Sequence, residues 1–188
     1  MDLFEFVTVV ISMILALALG QLLSGAAALV KNRARVSGFL AHSCWLAFLF
    51  FLAISLWWSQ WDFRDTQWTF PLFCYVLLGP TMLYFVVVLL VPDDPGGREV
   101  DLELHFFSIR PVFFLLALGF VLVTWADGPL IRGQPVLGSV GLVNLFSSTL
   151  ILGGLITKNR RYHVLTSVAL CATFPVMMLI RFMPGIGG

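Results

Sequence analysis

Three histidines (His42, His105 and His163), two amides in apolar surroundings (Gln21 and Asn144) and one arginine at the edge of an apolar run (Arg110) are the residues here whose type and placement suit chemistry. The histidines fall near matching ends of alternate apolar segments, so three imidazoles at similar depth form the one constellation resembling a metal or haem site. Such a site needs neutral rings that converge, or two rings facing each other across a bundle. Histidine at a membrane interface otherwise serves as an amphipathic side chain with its tip in water. That is the simpler reading, and no cofactor is expected.

An amide inside hydrocarbon is costly without a partner, so Gln21 and Asn144 must each bond to a neighbouring helix or face water. With Ser148 and Arg110 they are the candidate lining of one hydrated path, Ser147 and Thr149 standing beside them. Arg110 follows Glu103 by seven residues on the same helical face, so snorkelling, or a pair with Glu103 or a lipid phosphate, competes with a pore-lining role. Asp93, Asp94, Glu99, Asp101 and Glu103 crowd the longest polar segment, but their spacing fits no EF-hand and suits a turn followed by a helix N-terminus. No nucleophile with a positioned base is evident: Leu22-Leu23-Ser24-Gly25 lacks the first glycine of a rhomboid-type motif, and the histidine-dense motifs of membrane desaturases are missing. An enzyme is not favoured.

The elements that must position these residues follow from the charges. In 188 residues with 60% apolar composition, stretches without charge span 6–30, 36–61, 66–92, 111–126, 133–157 and 162–180. A helix needs about 20 apolar residues to cross about 30 Å of hydrocarbon. Five stretches suffice, and the fourth does if its helix starts near Leu102 and carries Arg110 and Pro111 in its first turns. The expected fold is all-α: a polytopic bundle of six transmembrane helices, at about 4–30, 37–60, 68–91, 102–126, 136–157 and 161–182, in one membrane domain with no soluble domain.

Lys31, Arg33, Arg35, Arg98, Arg110, Lys158, Arg160 and Arg161 gather at one end of such a bundle, against Arg64, Arg132 and Arg181 at the other. Eight against three places the first end in the cytoplasm and both termini outside it, in the inner (plasma) membrane. Trp57, Trp58, Trp61, Trp68 and Trp125 fall at the opposite end, as an interfacial belt would, and Trp45 lies toward the basic one. The net charge of +1 gives no footing for nucleic acid.

Ala16, Gly20, Ser24 and Ala28 recur every four residues, which lets another backbone approach closely, within the protomer's own bundle or at a subunit interface. Thr149, Gly153 and Thr157 repeat the pattern more weakly. Lys31-Asn32-Arg33 returns as Lys158-Asn159-Arg160, an offset that also pairs Cys44 with Cys171 and suggests a duplicated hairpin. Pro80 and Pro175 should bend the third and sixth helices. With no carboxylate or lysine in mid-membrane, ion-coupled transport is disfavoured. The leading expectation is an oligomeric, channel-like or facilitative permeation protein for a small solute or ion. The alternatives are a non-transporting accessory or anchoring subunit of a larger membrane complex, and a haem- or quinone-linked redox subunit. The expected partners are the lipid bilayer and a second copy or another membrane protein.

Overall fold

The computed structural model describes residues 2–92 and 99–182, with backbone alone at 176, 177 and 179–182. Six helices account for nearly all of it: α1 (Leu3–Lys31), α2 (Leu40–Trp58), α3 (Phe70–Leu90), α4 (Leu102–Ile131), α5 (Ser139–Ile156) and α6 (Arg160–Phe182). The first five are long and apolar enough to cross a membrane, α2 together with the 3-10 turn that follows it. The chain is an all-α membrane bundle. The turn expected at 93–97 lies outside the described residues.

Local chemistry sets the helix ends. Asp2 opens α1 with a capping box, accepting from the Glu5 backbone N–H at 2.7 Å while the Glu5 carboxylate accepts from the Asp2 N–H at 3.0 Å. Asp101 caps α4 by accepting from the backbone N–H groups of Glu103 and Leu104. That cap fixes Leu102 as the first residue of α4 and carries Pro111 into the helix, as the short fourth apolar stretch requires. At its other end α4 runs on to Ile131, past the expected boundary at 126. Asp127 does not stop it, because the chain turns only at Gly133, whose φ of 62° an L side chain rarely adopts.

The helices close into a ring in which α1 packs on α3, α3 on α4, α4 on α5, α5 on α6, α6 on α2 and α2 on α1, with α2 also reaching α3 and α4 across the middle. A two-residue parallel bridge, β1 (Val36–Ser37) against β2 (Val100–Asp101), ties the loop after α1 to the start of α4. The two Lys-Asn-Arg turns differ locally: the first continues as a 3-10 turn and β1, the second leads directly into α6. The cysteines that share their offset nevertheless meet where α2 packs on α6, the Cys171 thiol donating to the Cys44 carbonyl at 3.2 Å.

The side of α1 that packs is not the small-residue stripe. Val7, Ile11, Leu15, Ala18, Leu22 and Gly25 are buried, in steps of four and three. This heptad-like seam interlocks with α2 and α3. Ala16, Gly20 and Ser24 are exposed and Ala28 is half-buried. At about 100° per residue the stripe is turned roughly 200° from Ala18 and Leu22, so it faces away from the protomer. The close approach expected at Gly20 occurs instead at Gly25, where a Cβ would lie 2.9 Å from Val91 Cγ2 and nearer still to Cγ1, whereas a Cβ on Gly20 meets nothing within 4 Å. On α5 only the glycine of the weaker pattern meets a neighbour: Gly153 leaves room for the Tyr162 ring, while Thr149 is exposed.

Gly25→Leu should therefore destabilise the protomer by about 1–3 kcal/mol, as overpacking does, and Gly20→Leu should leave it unchanged. Denaturant unfolding of both variants in mixed micelles checks this. Equal losses would contradict the packing of α1.

Candidate functional site

Three of the helices, α1, α3 and α5, end at the basic side of the bundle, where their last carbonyls lack partners from their own helix. Tertiary donors fill those places. At the end of α3, His42 Nε2 donates to the Leu90 carbonyl at 2.9 Å, and His105 Nε2 lies 3.2 Å from both Leu89 O and Leu90 O. Because a carbonyl only accepts, the proton of each ring sits on Nε2. At the end of α5, Arg110 is buried and its Nη1 donates to Gly154 O, Leu155 O and Thr157 O at 2.8–2.9 Å. His163 Nε2 adds a donor to Thr157 O at 3.0 Å. The end of α1 is capped locally instead, the side chain of its own C-cap residue Asn32 donating to Ala28 O.

The three histidines are thus divided. His42 and His105 stand 6.1 Å apart, ring to ring, while His163 lies among Phe106, Phe107 and Phe114 at the neighbouring helix end. Among the described residues no three His, Cys, Asp or Glu side chains gather as a metal would require. Arg110 neither snorkels nor pairs with Glu103, whose carboxylate accepts from Arg160 Nε at 2.9 Å. It turns inward because the C-terminal end of α5 carries partial negative charge and open acceptors.

Above this capped layer lies an aromatic block. Trp45 meets Phe113 and Phe114 edge-on at 5.0 and 5.8 Å, and Phe106 lies 6.1–6.2 Å from the same two phenylalanines. All four rings are at most 2% exposed. On the Trp-rich side of the block a cavity of about 450 Å³ opens between α2 and α5, walled by α3, α4 and α6. It extends along α2 from Trp45 to Ser59, roughly 20 Å at 1.5 Å per residue. Its size is that of a small-molecule site.

The turn between α4 and α5 forms the mouth. Trp125 Nε1 donates to Val136 O at 2.9 Å, and Gly141 lets that carbonyl approach where a Cβ would overlap it. Arg132 pairs with Asp62 at 3.1 Å and lies 5.0 Å over the Phe63 ring.

Asn144 and Ser147 line this cavity, and the Asn144 amide has no hydrogen-bond partner among the described residues. Ser148, expected beside them, is buried off the cavity with its hydroxyl unpartnered. Gln21 is exposed on α1, which packs on α2 and α3 and not on α5. Within the protomer Gln21, Asn144 and Arg110 therefore share no path. Equal depth along parallel helices says nothing of where each helix sits in the ring. The cavity's hydroxyls from Ser55, Ser59, Thr124 and Thr173 escaped the sequence reading, since lone Ser and Thr are commonplace in apolar helices and only the packing brings these together.

No protein-family model matches this chain, and no curated protein or solved structure is significantly similar to it. The fold and the site define a class, a polytopic helical membrane bundle with a ligand-sized cavity among its helices.

Arg110→Leu removes the donor from three carbonyls and should lower unfolding free energy by about 2–4 kcal/mol. Glu103→Gln breaks only an exposed pair and should cost under about 1 kcal/mol. Thermal unfolding in detergent would reveal the contrast, and equal stability of the two variants would contradict the capping role.

Proposed function

We propose that this chain is a facilitative permeation protein of the inner membrane, with the basic end of the bundle in the cytoplasm, both termini outside, and the cavity as its solute-binding site. The observation that carries this reading is the cavity itself: a ligand-sized space reaching the Trp-rich end, with the unpartnered Asn144 amide partway down and the aromatic block beneath it. Passage requires the block to part, by rotation of Trp45, Phe113 and Phe114 or by separation of α4 from α5 at Arg110. No carboxylate or lysine lines the described wall, which favours downhill passage over coupling to protons or sodium.

A second reading draws on a different face. Ala16, Gly20 and Ser24 form an exposed strip beside the exposed Gln21 amide, and intramembrane polar side chains ordinarily face another helix. An accessory or anchoring subunit, or an oligomer, would use this face. The haem- or quinone-linked alternative gains nothing from the geometry, since each histidine Nε2 is hydrogen-bonded to a carbonyl.

Reconstituted vesicles separate the two main readings. Asn144→Leu should lower solute flux several-fold with assembly intact, whereas Gln21→Leu should leave flux unchanged and reduce oligomer size. Folded wild-type protein whose flux equals that of empty vesicles would overturn the permeation reading in favour of the accessory one. For the orientation, Lys158→Cys should react with impermeant maleimide only from the cytoplasmic side.

A further inference from the structure

The cavity wall is chemically one-sided. Ser55, Ser59, Thr124 and Thr173 each donate their hydroxyl proton to a carbonyl of their own helix, at Leu52, Leu56, Phe120 and Leu170, over 2.8–3.0 Å. A hydroxyl bonded in this way retains oxygen lone pairs and no free proton. The Trp125 N–H is likewise taken, by Val136 O. Among the described lining residues only the Asn144 amide and the Ser147 hydroxyl offer the middle of the cavity both a free donor and a free acceptor, and the Arg132 cation at the mouth is neutralised by Asp62.

Polarity also changes with depth. Ser139, Gln134 and Arg132 stand at the mouth, Asn144, Ser147, Ser55 and Thr124 below them, and the tip is formed by Trp45, Leu49, Val86, Ala117, Ile151 and Leu170, apolar except for the Trp45 Nε1–H, which is buried without a partner. The gradient runs in the sense of the surrounding half-bilayer, polar at the Trp-rich end and apolar toward mid-membrane.

We infer that the ligand of this cavity is a neutral, chain-like amphipath whose head carries O–H or N–H donors, held with its head among Asn144, Thr124 and Ser55 and its apolar tail against Trp45. The inference rests on the cavity being the binding site and names the class of molecule it takes. A carboxylate head would face hydroxyl lone pairs and find no unpaired cation. A quaternary ammonium would find no carboxylate, and an ether or ester could use only the Asn144 N–H and the Ser147 O–H, leaving the other hydroxyl oxygens without a donor. An alcohol or primary amide matches the wall, donating to the hydroxyl oxygens and accepting from Asn144.

The test uses the full chain in phosphatidylcholine nanodiscs and tryptophan quenching by a long-chain primary alcohol brominated at its far end, beside its methyl ether and the carboxylate of equal length. The alcohol should quench saturably, and Trp45→Phe should remove most of that component. The ether and the carboxylate should bind about tenfold more weakly, as loss of one or two hydrogen bonds implies. Asn144→Leu should weaken the alcohol about tenfold. The nearly isosteric Thr124→Val should weaken it about threefold, which keeps the test open if the first variant misfolds. Equal binding of all three probes, or quenching that rises without saturation as in empty discs, would overturn the inference. Saturable, donor-dependent binding without vesicle flux would uphold it and overturn the permeation reading. Flux of small polar solutes without saturable alcohol binding would do the reverse.

Discussion

Helix ends inside or near hydrocarbon leave carbonyls that water does not reach, and every one needs a donor from the protein. At the basic end of this bundle that requirement organises the structure. The α3 terminus takes His42 from α2 and His105 from α4, and the α5 terminus takes Arg110 from α4 and His163 from α6. Each donor comes from a neighbouring helix, so satisfying the backbone also fixes which helices stand side by side. Arg110 binds most extensively, because one guanidinium nitrogen serves three carbonyls and a cation is favoured at a helix C-terminus.

The aromatic block depends on that layer. Phe106, Phe113 and Phe114 share α4 with His105 and Arg110, and Trp45 follows His42 by one turn of α2. Capping draws these helices together and their rings fill the space above. Gly154 allows the approach, since a Cβ there would lie 2.6 Å from Phe114 Cε1. On the Trp-rich side of the block α5 is held by α4 and α6, and the space left between it and α2 is the cavity. The oxygens of Ser55, Ser59, Thr124 and Thr173 are tolerated there because each of these hydroxyl protons already has a partner on its own helix.

Lipid contact explains why so little of the apolar sequence is buried. Large side chains such as Met13, Leu17, Leu115 and Leu142 are well exposed, as expected where the solvent is itself apolar. Without a hydrophobic drive between helices, shape decides which faces meet. The heptad-like seam of α1 interlocks along its length with α2 and α3, and the small-residue strip is left outward.

The sequence by itself determined the six helices, their approximate limits and the Asp101 start of α4, because charge and apolar length are one-dimensional quantities to which a bilayer responds directly. It also marked Asn144, Ser148, Arg110, Gln21 and the three histidines as polar groups in need of partners. Tertiary structure alone decided which partners they have. Ring order separates Gln21 on α1 from Asn144 on α5, helix-end geometry turns Arg110 away from Glu103, and one helical step puts Ser147 on the cavity and Ser148 off it. Small residues at four-residue spacing permit close packing without specifying it. The choice between Gly20 and Gly25 rests on Val91, a residue 66 positions from Gly25 whose approach no local pattern of α1 encodes.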